Sequence, residues 1–231
     1  MNKVKVAIIG CGDIAGGYDE RKKDVGIFSH AGAYRSFENI DIAAAFDINN
    51  KRLDSFCNFW GVKNRCSSLD ELLTQKYDII SVCAPDETHG EILLEILNRR
   101  CTSYIWAEKP LATDANLAKS LIEKAKTNNV GLWLCNQRRW ESGHISVKRL
   151  IEEKAIGEIV HTTAYYVKGI THIGCTAIDT IRFLCGEIKW VMAYPPYEKG
   201  SYLNDPSLNG VVGLDNGSTA TIIGCDLKKY T

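Results

Sequence analysis

What the sequence lacks narrows the field first. Its 231 residues carry no excess charge of either sign, since 28 Lys and Arg stand against 28 Asp and Glu. A neutral chain offers no electrostatic footprint for nucleic acid or an anionic membrane surface, so neither is an expected partner. No apolar run approaches the roughly 18–20 residues of a membrane-spanning helix. The opening Met1-Asn2-Lys3-Val4-Lys5 leads into an apolar stretch that stops at Gly10-Cys11-Gly12, which is not the pattern of a secretory signal. The nine cysteines are scattered and form no Cys-x-x-Cys. That suits neither a disulfide framework nor a zinc site, so no metal is expected and a reducing, cytoplasmic location is. Internal repeats and low-complexity linkers are missing too. What remains is ordinary globular usage, 45% hydrophobic and 24% charged, in a length that allows one large domain or two smaller ones.

The first 136 residues alternate strand and helix signals. Residues 3–10 and 40–47 are continuous apolar, β-branched runs, as expected of strands buried on both faces. Further strands are expected at 77–83, 104–107 and 131–135. Helices are expected at 52–60 (capped by Asn49 or Asn50), from the Ser68-x-x-Glu71 capping box to 75, at 88–98 and at 114–128. The core stripes would be Ile92, Leu93, Ile96 and Leu97 in one helix, and Leu117, Leu121, Ile122 and Ala125 in another. This rhythm specifies an α/β, doubly wound parallel sheet with helices on both faces. Residues 137–231 read differently, as an α+β domain with a mainly antiparallel open sheet. Helices are expected at 145–154 and 176–184, and strands at 159–168, 189–194, 211–214 and 219–225. The last two strands are joined by the hairpin signal Asp215-Asn216-Gly217. Pro195-Pro196 and Asn204-Asp205-Pro206 mark loops.

Gly10-Cys11-Gly12-Asp13-Ile14-Ala15 directly follows the first strand and matches the G-x-G-x-x-G/A dinucleotide fingerprint. Gly10 permits the tight turn, Gly12 lets backbone approach a pyrophosphate, and Ala15 is small enough to pack on the sheet. The second strand ends in Asp47, whose carboxylate would accept the ribose hydroxyls and repel a 2′-phosphate, which favours NAD over NADP. Lys51 and Arg52 stand close enough in sequence to weaken that repulsion. Asp47 lies farther from Gly10 than the usual spacing of about 20 residues. A polar insertion at 16–29, before a helix at 30–37 and oriented by His30, accounts for the excess. Cys83, Ala84 and Pro85 end the next strand, with His89 opening a helix as a supporting group. Glu108 and Lys109 end the strand after that. Strand ends of this kind face the ligand crevice, so Lys109 stands where cofactor and substrate would meet.

Together GCGDIA at Gly10, VCAPDETHGEILLEIL at Val82, EKPLA at Glu108, NQRRW at Asn136 and IDTIRFLCGE at Ile178 resemble the Gfo/Idh/MocA family. Its name joins glucose–fructose oxidoreductase, inositol dehydrogenase and rhizopine catabolism protein, and the likeness runs from Lys3 to about Gly224. It implies a Rossmann domain, a second domain with a large open sheet, and NAD(P)-dependent hydride transfer at a hydroxyl or ketone of a sugar, cyclitol or nucleotide-sugar. It implies that Lys109 hydrogen-bonds the reacting oxygen, and that Pro85 and Glu108 line the nicotinamide site. The cofactor set is thus Gly10, Gly12, Asp13, Ile14, Asp47, Cys83, Ala84, Pro85, His89, Glu108 and Lys109.

Two departures from the family stand out. Many members carry Asp-x-x-x-His, with the His as general acid/base, where this chain has His172 and Thr176. A threonine cannot exchange a proton near neutral pH. His172 can, and is either the substitute base or a substrate-orienting group. Substrate contacts are expected from Arg138, Trp140, His172 and Thr176, with Arg139 beside them, although the Arg pair could simply solvate a helix start. His144 and His161 are expected to be structural. Members also usually run longer, so the chain reads as a shortened variant, a truncated gene or a trimmed piece. An open sheet then needs cover, which favours a homo-oligomer. A non-catalytic dinucleotide-binding sensor or regulatory protein of the same fold is the alternative.

Overall fold

The structure, a computed structural model, describes residues 3–21, 26–194, 201–202 and 205–225. It divides into two units, Met1–Cys135 and Asn136–Thr231.

The first unit is a six-stranded, wholly parallel sheet. Its strands are β1 (Val4–Ile9), β2 (Ile40–Phe46), β3 (Asn64–Arg65), β4 (Tyr77–Val82), β5 (Thr102–Ala107) and β6 (Gly131–Leu134), in the order β3-β2-β1-β4-β5-β6. β1 lies at the centre, and its alternate residues feed two cores. Ala7 and Ile9 face a cluster containing Ile80, Leu93, Leu97 and Leu121, whereas Val6 and Ile8 face one containing Tyr34, Leu53 and Phe56. The helices are α1 (Tyr18–Arg21), α2 (His30–Arg35), α3 (Asn50–Trp60), α4 (Leu69–Leu73), α5 (His89–Arg99) and α6 (Ala115–Thr127). Their ends follow side-chain chemistry. The side chains of Ser29, Asn49, Ser68 and Asp114 each accept a backbone N–H of the first turn of α2, α3, α4 and α6. Glu71 completes its capping box on Ser67, accepting that residue's N–H and hydroxyl. None of the nine cysteines is in a disulfide.

Two expectations are corrected here. Residues 16–21 are not loop: a π-helical turn at Asp13–Gly17 runs straight into α1. The cause is burial, because Gly16 packs where a side chain would meet Phe56 and Trp60 of α3. Asp19, although charged, is drawn inward to accept the N–H groups of Phe28 and Ser29 and the Ser29 hydroxyl. Residues 22–25 of the expected insertion lie outside the described residues. In α6 the stripe is narrower than expected. Leu121 and Ala125, one turn apart, are buried, while Ile122 is rotated out to 42% exposure.

The second unit has α7 (Ser142–Glu152), β7 (His161–Tyr166), α8 (Cys175–Cys185), β8 (Ile188–Tyr194), β9 (Ser201–Tyr202), β10 (Asp205–Pro206), β11 (Asn209–Leu214) and β12 (Thr219–Gly224). Four strands form a sheet in the order β7-β12-β11-β8, antiparallel except for the β7–β12 pair. Ile181 and Cys185 of α8 pack on Tyr166, Val212, Ala220 and Ile222. The β11–β12 hairpin turns at Asp215–Gly217, with Gly217 at φ +86°. Pro195, Pro196 and Asn204 lie outside the described residues. Asp205 and Pro206, expected in a loop, pair with β9. Among the described residues, no helix is long and apolar enough to cross a membrane.

Candidate active site

The carboxyl ends of five neighbouring strands are laced into one row. Gly10 donates its N–H to Phe46 O, Cys83 to Ile9 O, Glu108 to Val82 O and Cys135 to Ala107 O, at 2.7–2.9 Å. Gly10, Cys83 and Glu108, which the sequence singles out, are members of this row, and Asp47, Pro85 and Lys109 stand one or two residues past it. Gly10 stands at φ +85°, and a Cβ there would lie 2.7 Å from Ala84 N and from the Cys83 carbonyl. The tight turn therefore rests directly on the end of β4. Gly12 differs, with nothing within 4 Å of its would-be Cβ. The helical turn that begins at Asp13 presents its first N–H groups at this open place, as anion-binding sites do. The cradle fits the pyrophosphate of a dinucleotide. Ile14 packs against the core, and the Asp13 carboxylate pairs with Arg21 at 2.9 Å.

Asp47 stands at the end of β2, but its carboxylate is engaged inside the protein. Oδ2 accepts Cys11 N–H at 2.8 Å and Oδ1 accepts Asn49 N–H at 2.7 Å, with Arg52 Nη1 3.7 Å away. It fastens the glycine turn to the sheet, a role that sequence reasoning did not assign.

Glu108 is 8% exposed and anchors a buried chain of polar groups. Its Oε1 is 3.0 Å from His30 Nε2. His30 Nδ1 meets Ser81 Oγ at 3.1 Å, and Ser81 Oγ meets Tyr34 Oη at 2.7 Å. His30 thus holds Glu108 and does not orient an insertion, because its ring is pinned against Trp106 at 4.1 Å between centroids. Burial alone would raise the Glu108 carboxyl. The hydrogen bond and charge of His30, the Cys135 hydrogen bond and the charge of Lys109 together hold it below its ordinary value. Burial, then the charge of Glu108, pushes the Cys135 thiol up to about 12.

His89 is wholly buried, with Nδ1 2.6 Å from Pro110 O and Nε2 2.7 Å from Ala84 O. Carbonyl oxygens only accept, so the ring clamps the loop after β4 to the loop after β5. Between these anchors lies half-buried Lys109, joined to Pro110 by a cis peptide bond.

The second unit has its own arrangement. Arg138 and Thr176 line one cavity of about 340 Å³ between β7 and α8, with Thr162, Ala164 and Thr180. Trp140 is 81% exposed and outside that lining. Arg139 is committed to Asp179 of α8 by two 2.8 Å contacts, which anchors the turn at residues 137–140. His172 lies half-buried on a π-helical turn, Gly169–Gly174. Asp205 accepts the backbone N–H of Thr171 at 2.9 Å and of His172 at 2.8 Å. His144 pairs with Glu141, and both His161 nitrogens meet threonine hydroxyls of β12. Sequence reasoning gave His30 a different role and missed those of Ser81, Cys135, Asp179 and Asp205. Ser81, a polar residue in the apolar run of β4, was the one visible signal.

Residues 4–135 match Gfo/Idh/MocA, an oxidoreductase family with an NAD-binding Rossmann fold. The chain belongs to this family. It is 24% identical over 251 residues to D-apiose dehydrogenase of Rhizobium rhizogenes, covering 98% of this chain and 69% of that one. Among solved structures it resembles an oxidoreductase from Agrobacterium radiobacter in complex with NAD+, L-tartaric acid and magnesium. The TM-score is 0.79 at 19% identity, covering 96% of this chain and 66% of that one. It also resembles the WlbA dehydrogenase from Chromobacterium violaceum in complex with NADH and UDP-GlcNAcA, with TM-score 0.78 at 19% identity over 98% and 68%. These last two likenesses show the fold. The chain spans between about a quarter and two thirds of the length of the curated relatives it matches, at 46%, 27% and 69% for three of them.

Proposed function

We propose that the chain serves NAD-dependent hydride transfer at a CH–OH or ketone carbon of a sugar, cyclitol or nucleotide-linked sugar. The observation that carries this reading is the row of strand ends, which brings the open turn at Gly12 and the clamped Lys109 onto one edge of one sheet. The family and the names of the relatives support it, and lend nothing to a non-catalytic reading.

NAD would be held by the backbone of residues 10–15, with its adenosine ribose toward Asp47 and its nicotinamide toward Pro85 and Glu108. It supplies or accepts the hydride when bound. A carboxylate oxygen already holding one N–H retains room for a second donor, so Asp47 can both fasten the turn and meet a ribose hydroxyl. Its charge disfavours a 2′-phosphate. Lys109 polarises the carbonyl or stabilises the developing alkoxide through its ammonium. From the second unit, His172 exchanges the hydroxyl proton, Thr176 and Arg138 contact substrate from their common cavity, and Trp140 offers a face for stacking on a sugar ring. The sheet face bearing Tyr165, Trp190 and Met192, opposite to α8, is at least half exposed at each of these residues and suits a second copy of the chain.

The test is titration with NAD and NADP, followed by a panel of sugars, cyclitols and nucleotide-sugars read at the absorbance of the reduced cofactor. Tighter NAD binding and turnover on one class are expected. Tighter NADP binding would remove the role of Asp47, and cofactor binding without turnover on any class would overturn the enzymatic reading. Sedimentation of the purified chain tests the second copy, and a concentration-independent monomer would exclude it.

A further inference from the structure

The sequence holds no metal-binding spacing, yet the fold assembles a donor set from three distant positions. His30, Glu108 and Cys135 each offer one ligand atom, and these atoms lie within 4.8 Å of one another. We propose that His30 Nε2, Glu108 and Cys135 Sγ form a site for a thiophilic divalent cation of the zinc type, at the strand ends beside Lys109.

Geometry carries the argument. Tetrahedral zinc, with bonds of about 2.0–2.1 Å to N and O and about 2.3 Å to S, places its ligand atoms about 3.3–3.6 Å apart. His30 Nε2 and Glu108 Oε1 already stand at 3.0 Å, so they need only part slightly. The Cys135 sulfur, at the end of β6 and already hydrogen-bonded to Glu108, has to close by about an ångström from within 4.8 Å. The imidazole is also pre-aimed. Its other nitrogen, Nδ1, is fixed by Ser81 Oγ, which Tyr34 fixes in turn, and the ring lies against Trp106. Metal-binding histidines depend on such an outer hydrogen bond to set ring orientation and tautomer.

Charge and donor type agree with this assignment. A carboxylate, a thiolate and a neutral imidazole give two negative charges for a dication, and the mixed N/O/S set selects against magnesium and calcium, which take oxygen. Lys109 is the positive group acting on both Glu108 and Cys135, and it opposes the cation. The Cys135 thiol is protonated in the metal-free protein, so binding must release its proton to solvent. Three protein ligands leave a fourth position for water. No electron transfer is involved.

The experiment is a Co²⁺ titration of the whole chain after treatment with a chelator. The expected result is a thiolate-to-cobalt charge-transfer band that saturates at one equivalent, releases at least one proton per metal and is abolished by Zn²⁺. Cys135→Ser should remove the band, while Cys225→Ser, in the other unit, should leave it intact. Glu108→Gln should weaken cobalt binding by at least about tenfold. Circular dichroism of each variant separates loss of the site from loss of the fold. No saturable band in the wild type, or an undiminished band in a folded Cys135→Ser, overturns the proposal. Neither result depends on finding a substrate.

Discussion

The two units hold their candidate groups in opposite ways. In the first unit the polar groups at the strand ends are each caught between two partners. Asp47 joins the N–H groups of Cys11 and Asn49, His30 joins Ser81 and Glu108, and His89 joins two carbonyls. In the second unit Thr176 is half-buried and Arg138 exposed, both on the wall of one cavity. Buried, doubly held groups cannot drift, and a cradle for one fixed ligand gains from that rigidity. Side chains on a cavity wall can be exchanged without upsetting a network.

The sharpest way to break this comparison is at the two glycines of one turn. Gly10→Ala puts a Cβ against backbone atoms at a positive φ, and should cost more than about 2 kcal/mol of stability. Gly12→Ala meets open space at φ −79°, and should change stability by less than about 1 kcal/mol. Its expected effect is on the ligand, a loss of about tenfold or more in NAD affinity because backbone can no longer approach the pyrophosphate. Thermal melts and cofactor titration check both. Gly12→Ala binding NAD as well as the wild type would move the pyrophosphate elsewhere.

Lys109→Met tests whether the clamped loop serves chemistry or only structure. Chain length is kept and the cationic donor removed, so kcat should fall by about 10²-fold with NAD affinity unchanged. A parallel loss of cofactor affinity would make Lys109 a binding group, and an unchanged kcat would take it out of the reaction. In the second unit the contrast is between neighbours four residues apart. His172→Ala should lower kcat and abolish the acid limb of its pH profile, whereas Thr176→Ala should cost less than about threefold. A profile without an ionisation near neutrality in the wild type removes His172.

How much of this was legible follows from the kind of signal each part leaves. The parallel sheet was readable because β1, β2 and β4 are buried on both faces and so are written as mostly apolar runs, broken only by Lys5, Asp41, Asp78 and Ser81. The caps at Asn49 and Ser68 were readable because each acts three residues away in sequence, whereas Ser29 was hidden at the end of what reads as a polar insertion. Gly10, Gly12 and Lys109 were readable because strand ends locate them. The network behind them was not. His30 and Glu108 are 78 residues apart, and Cys11 and Asp47 are 36 apart, so only the topology brings them together. The helix over residues 13–21 was hidden for a different reason: its polar residues look like solvent-facing loop, while its small residues do the packing.

The smallest expected effect concerns the buried charge of Glu108 beside Lys109, and it distinguishes a strained network from a satisfied one. Glu108 ionises more readily in the folded chain than its ordinary value of 4.5, because His30, Cys135 and Lys109 together outweigh the burial that opposes it. A carboxyl with a depressed folded value contributes stability that is fully present above about pH 4.5 and is lost as pH falls through the lower, folded value. The wild type should therefore show constant stability from this group at neutral pH, with a decline beginning just below pH 4.5. Glu108→Gln keeps a hydrogen-bonding side chain of the same shape toward His30 and removes only the titration. Its urea midpoint should be lower than that of the wild type at pH 7, and the gap should narrow as pH falls below about 4.5 toward the lower, folded value. Midpoints measured at half-unit steps between pH 3 and 7 check this. If the gap between the two proteins stays the same across that range, the carboxylate is not stabilised by its neighbours. His30 would then be holding Glu108 by shape alone.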